Sequence, residues 1–174
     1  MNSNRLTSLL AGAFIVLLLA SLSLFTVDQR QKAVVFQLGE ITDIVNEPGL
    51  HFKIPLIQNV RFYDNRILTL DTPDTERFIT SEKKNVLVDS FVKWRIGDLK
   101  QYYVSVQGDE ARATTRLSQT VNSALREEFG KRTVHDVVSG ERDEIMRVVT
   151  EKLEEDARRI GVSIVDVRLK RVEL

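Results

Sequence analysis

Cysteine is absent from the 174 residues. Disulfide frameworks and thiolate metal sites are therefore excluded, and the absence fits an oxidising compartment without proving one. Neither sign of charge is in excess, with 25 Lys and Arg against 25 Asp and Glu. A neutral chain has no electrostatic footprint for nucleic acid, so no nucleic-acid partner is expected. Histidine is scarce: His51 and His135 are the only two imidazoles. No compact set of the three or four convergent ligands that a metal needs stands near either. The phosphate-cradling glycine loops, the zinc-protease helix motif and the nucleophile-elbow motif are all missing. These absences point to no catalytic residue, no metal and no cofactor, and so to a protein that is not an enzyme. His135, between Val134 and Asp136, reads as a surface or capping residue.

Apolar residues are present and unevenly spread. From Leu6 to Val27 no charge interrupts "LTSLLAGAFIVLLLASLSLFTV". As a helix, those 22 residues would reach about 33 Å, enough for a hydrocarbon core of about 30 Å. Two readings stand. One is a transmembrane anchor over residues 6–27, after a short flank at residues 1–5. The other is a signal peptide with a weak small-residue cleavage site around Ser21 and Ser23. The run continues past those serines, which favours the anchor. Arg5 on one flank and Arg30 with Lys32 on the other do not separate the two orientations.

The remaining residues, 28–174, carry strand and helix patterns. "KAVVFQL" and "EITDIV" read as two paired strands, and "NEPG" as a turn in which Pro48 presets φ and Gly49 accepts a positive φ. The run "EPGLHFKIP" alternates apolar and cationic residues, which sets Leu50, Phe52, Ile54 and Leu56 on one strand face and His51 and Lys53 on the other. The plain expectation is that the apolar face packs in the core. Pro55 lacks an amide donor, so this strand is an edge or is broken there. "DTPDTE" reads as a loop. "NVLVDSFVKWRI" alternates almost strictly, with Val86, Val88, Val92, Trp94 and Ile96 facing the core.

The period then changes. Asp98 caps a short helix and Asp109 a longer one, on which Leu117, Val121, Ala124, Leu125 and Phe129 recur and which Gly130 terminates. A further helix spans about residues 140–160, closed by Gly161, with Glu154–Arg158 and Glu155–Arg159 as favourable pairs four apart on a solvated face. "VSIVDVRLKRVEL" returns to strand alternation. No repeat or low-complexity tract occurs. The fold class is α+β, or mixed α/β, behind one N-terminal membrane helix, with a β-rich part over about 28–80 and an α/β part over about 81–174.

"EPGLHFKIP", "VDSFVKWRI" and "DVRLKR", in this order behind a short anchor, resemble the SPFH or Band 7 family of stomatins, prohibitins, flotillins and the bacterial HflK/HflC pair. HflK-like members carry a long Gly/Pro-rich segment before the anchor; the short flank here favours the HflC-like branch. The resemblance implies an SPFH/prohibitin-like domain on the periplasmic side of the bacterial inner membrane, held by a single pass. It implies a non-enzymatic scaffold that joins an HflK-like partner in a large hetero-oligomer and regulates the ATP-dependent membrane protease FtsH. A stomatin-like organiser of membrane lipid or protein, with no protease, is the alternative. Family members continue into a long assembly helix; this chain stops where that helix would begin, which implies a C-terminally truncated product. The resemblance also implies that the first SPFH subdomain lies against the bilayer. Leu50, His51, Phe52, Lys53 and Ile54 are thus expected at the membrane surface, with Lys53 towards anionic headgroups and an apolar edge dipping shallowly.

Overall fold

A computed structural model describes the backbone of residues 3–71, 76–137 and 142–173, and the side chains of residues 11–71, 76–137 and 143–170. The chain divides into two compact units, Met1–Asn65 and Arg66–Leu174.

The first unit opens with helix α1, Ser3–Ser23. Its described apolar side chains, among them Phe14, Ile15, Val16 and Leu17, are exposed on every face, as in a helix with no polar side to turn to water. Among the described residues no helix is long and apolar enough to cross a membrane. The side chains of Leu6 to Leu10, the first part of the expected anchor, lie outside the described residues. The uncharged run is also not one element. The helix ends at Ser23, and Leu24–Val27 form strand β1. The reason lies outside the run: β1 pairs antiparallel with β4, Gly49–Phe52, which draws Phe25 and Val27 into the core of this unit.

Strands β2 (Gln31–Gln37), β3 (Glu40–Val45) and β5 (Gln58–Asp64) make a second sheet, ordered β3-β2-β5 and antiparallel throughout. Ala33, Val35 and Val45 from it join Phe25 and Val27, and Val60 packs on their margin. The paired strands expected at "KAVVFQL" and "EITDIV" are thus present, with β5 as a third partner. Gly49 has φ +138°, so the left-handed backbone expected after Pro48 is there. The chain leaves β4 at Phe52 and passes Pro55 in a turn before β5, as the missing amide donor requires.

The second unit is a four-stranded antiparallel sheet whose strands β7 (Glu76–Ile79) and β9 (Val162–Glu173) meet helices α3 (Glu110–Gly130) and α4 (Arg142–Arg159). Strand β8, Asn85–Ile96, is central. On one side it pairs with β6 (Leu68–Asp71) through its C-terminal half and β7 (Glu76–Ile79) through its N-terminal half. On the other side runs β9, Val162–Glu173. The division between parts therefore falls at Asn65/Arg66 and not near residue 80, because β6 and β7 hydrogen-bond to β8. Most of the expected "DTPDTE" loop, residues 72–75, lies outside the described residues.

Helix α2 (Leu99–Val106) is capped by the Asp98 carboxylate on the Gln101 amide, and α3 (Glu110–Gly130) by Asp109 on the Ala111 and Arg112 amides. Gly130 does not terminate α3 in a left-handed turn. It is the last helical residue, and Lys131 closes the helix in right-handed geometry. Helix α4 spans Arg142–Arg159, and residues 140 and 141 of the expected start lie outside the described residues. Ile145, Val149, Leu153, Ala157 and Ile160 are buried, as their spacing predicts. Trp94 is 1% exposed and stacks at a tilt against Tyr102 of α2.

Candidate functional site

The sequence-selected residues Leu50 to Ile54 sit where β4 leaves its sheet. In an antiparallel pair, directly opposed residues share a face. Leu24 opposes Phe52 and Thr26 opposes Leu50, while Phe25 opposes His51 and Val27 opposes Gly49. Phe25 and Val27 are buried, so register alone turns His51 inward and Leu50 and Phe52 outward. This reverses the expected packing. Leu50, Phe52 and Ile54 are exposed, at 62%, 79% and 51%, whereas His51 and Lys53 are half-buried. The apolar face of "EPGLHFKIP" is not core.

His51 is held structurally. Its ring lies 5.7 Å from that of Phe25, and Nε2 is 3.0 Å from the Glu47 carbonyl oxygen. The Lys53 amide donates to the Ser23 carbonyl at 2.7 Å, which ties the selected segment to the C-terminus of α1. The turn that follows is closed by the Gln58 amide on the Ile54 carbonyl, 3.0 Å, and by the Ile54 amide on Gln58 Oε1, 2.7 Å.

Two neighbouring residues were not legible as part of the site. Leu38, at the tip of the β2–β3 hairpin, is 90% exposed, and Leu56, in the turn before β5, is 97% exposed. Both occupy the left-handed region, at φ 52° and 71°. Gln37 and Gln58 are register partners and their side chains meet at 3.3 Å, so the two loops leave the same end of the sheet. The local signal for Leu38 was "QLGE", a two-residue hairpin with glycine in second place and a bulky residue where asparagine is usual.

His135 is exposed, and capping at its turn falls to Thr133, whose hydroxyl donates to Asp136 at 2.7 Å and holds that carboxyl below the usual carboxylate range. Among the described residues, no group of three or more His, Cys, Asp or Glu is placed to hold a metal.

The site is an exposed apolar surface on a unit of two antiparallel sheets, and the second unit is a helix-backed antiparallel sheet. The SPFH domain / Band 7 family profile matches residues 25–174. The chain belongs to the SPFH domain / Band 7 family. Within that family it is similar to protein HflC of Haemophilus influenzae, at 39% identity over 95% of this chain and 59% of that protein. It is 35% identical to HflC of Vibrio cholerae, over 92% of this chain and 61% of the other. It is 37% identical to the Escherichia coli K12 protein called modulator of FtsH protease HflC, over 84% and 46%. The chain thus spans about half to three fifths of these SPFH relatives.

Proposed function

We propose that this SPFH chain is a membrane-anchored scaffold, not an enzyme, that modulates an FtsH-like ATP-dependent membrane protease and its access to substrates. It acts beside an HflK-like SPFH partner in a hetero-oligomer. Its domain lies on the periplasmic side of a bacterial inner membrane, joined to it by a single-pass helix built from the uncharged run after Arg5. The observation that carries the regulatory reading is the similarity to HflC proteins, one of which is named for modulating FtsH protease. The anchor is supported by an apolar helix with no polar face, and the membrane-proximal placing of Leu50 to Ile54 by the outward set of Leu50, Phe52 and Ile54 next to the end of that helix.

The test is affinity capture from detergent-solubilised bacterial membranes. Enrichment of an FtsH-like protease and an HflK-like protein is the expected result. Capture of neither overturns the protease reading and leaves the stomatin-like organiser. Release of the chain by alkaline carbonate would remove the anchor, and protection from protease added to spheroplasts would remove the periplasmic placing.

A further inference from the structure

Strand β5 is an edge: among the described residues it pairs with β2 alone. Register settles which of its backbone groups are free. Beyond the strand end the Asn65 amide donates to the Arg30 carbonyl at 2.8 Å, next to the opposed pair Gln31 and Asp64. Bonded and non-bonded pairs alternate along an antiparallel ladder. Asn59, Arg61 and Tyr63 therefore turn their backbone groups to β2, and Val60 and Phe62 turn theirs away. The Gln58 amide, on the same outward side, accordingly donates to the Ile54 carbonyl in its own turn, at 3.0 Å. The side chains also mark an unfinished edge. Phe62 opposes Ala33 and so shares the core face, where its ring meets Phe25 edge-on with centroids 6.4 Å apart, yet it is 45% exposed. Val60 lies at the margin of the same core. The opposite edge of the sheet is protected. β3 carries a bulge at Thr42, and the Ile44 amide, turned outward opposite Val34, donates to the Asp43 carboxylate at 2.8 Å. From Val60 to Phe62, β5 has no bulge, no proline and, among the described residues, no such cap.

We infer that the Val60–Phe62 edge of β5 takes up an extended segment of a partner protein, apolar–acidic–apolar in sequence, as an added antiparallel strand. The amides and carbonyls of Val60 and Phe62 supply the main-chain hydrogen bonds. Incoming residues opposite Val60 and Phe62 lie on the core face, where apolar side chains cover the open flank of Phe62. The residue opposite Arg61 lies on the other face. Arg61 is exposed, with its guanidinium 5.7 Å from the centre of the Phe36 ring, so a carboxylate opposite it forms an ion pair. Charge also decides against a second copy as the occupant. A two-fold pairing of β5 with itself that uses both Val60 and Phe62 sets Arg61 opposite Arg61, and like charges directly opposed are destabilising. Pairing of β5 with β3 of another copy meets the bulge and the Asp43 cap.

The test is amide hydrogen exchange on the full chain in detergent, read residue by residue by NMR. The probe is a short blocked peptide with one glutamate between two valines; a second peptide has lysine in place of the glutamate. Without peptide, the Val60 and Phe62 amides should exchange fast and the Arg61 amide slowly, since of the three only Arg61 is bonded to β2. At millimolar concentration the glutamate peptide is expected to slow exchange at Val60 and Phe62 by at least about ten-fold and to leave Arg61 as it was. The lysine peptide should protect them less, and R61E, at an exposed position, should reverse that preference. Absence of added protection from either peptide overturns the strand addition. Slow exchange at Val60 and Phe62 in the chain alone also overturns it, and slowing that grows with protein concentration would identify a second copy as the occupant. Equal protection by both peptides, unchanged in R61E, overturns the acidic partner.

Discussion

Gly161 joins α4 to β9 at φ +75°, and a Cβ there would lie 2.4 Å from both the Asp98 carbonyl oxygen and the Tyr102 amide nitrogen. Its own carbonyl accepts from the Gly97 and Asp98 amides, both at 3.0 Å. Left-handed backbone and close approach act together, and neither contact is with a side chain that can swing away. Gly161→Ala is therefore expected to destabilise the second unit by at least about 2 kcal/mol, read by chemical denaturation. Leu38 makes the opposite case. Leu38→Asn keeps the left-handed turn with a residue that tolerates it, so hairpin stability should rise by up to about 1 kcal/mol in detergent. A fall in stability would show that the Leu38 side chain is packed and not strained. Trp94, 1% exposed on the central strand, should lose about 3–5 kcal/mol on replacement by alanine. The alternation of "NVLVDSFVKWRI" made Trp94 readable as core from sequence, whereas the strain at Leu38 had only the weak signal of "QLGE", because φ there follows from the hairpin register.

Helices α3 and α4 are joined by charge as well as by apolar packing. Glu127 binds Lys131 of its own helix end at 2.7 Å and Lys152 of α4 at 2.6 Å. Glu128, almost fully buried, lies between Lys131 at 3.3 Å, Lys152 at 3.6 Å and Arg132 at 3.7 Å. The Lys131 and Lys152 hydrogen bonds push the Glu127 carboxyl down to about 2, from an ordinary 4.5. Its folded pKa lies below its unfolded one, so its contribution is complete above about 4.5 and fades as pH falls towards 2. Thermal melts between pH 5 and pH 2 should show a loss that is smaller in Glu127→Gln; an identical slope in both proteins would remove the assignment. Asp136 and Glu144 are also held low, by Thr133 and Arg147 respectively, so part of the acid slope remains in the variant. The pairs Glu154–Arg158 at 3.9 Å and Glu155–Arg159 at 2.7 Å were readable from their spacing. The link from Glu127 to Lys152 was not, since it depends on how two helices face each other.

Taken as a whole molecule, the chain divides into two compact units, and Phe25, Val27, Ala33, Val35 and Val45 form a core within the first. Phe78, Val86, Leu117, Phe129, Ile145 and Leu153 are buried residues of the second. Residues 66–174 alone should therefore fold cooperatively and stay soluble without α1, as circular dichroism and a melt would report. A molten fragment would mean that the first unit completes that core.

Local rules acting within a few residues determined most element types in this chain, β1 excepted. Alternation marked β8 and β9, aspartates capped α2 and α3, Pro55 broke a strand, and the uncharged run with the quoted motifs carried the family resemblance. Tertiary structure alone decided which face of β4 points inward. The pairing of β1 with β4 split the apolar run at Ser23 and turned His51 in and Phe52 out. A one-residue change of register would have exchanged those faces, and register is a relation between distant segments. The same holds for Leu38 and Leu56, which share one end of a sheet only because β2 pairs with β5.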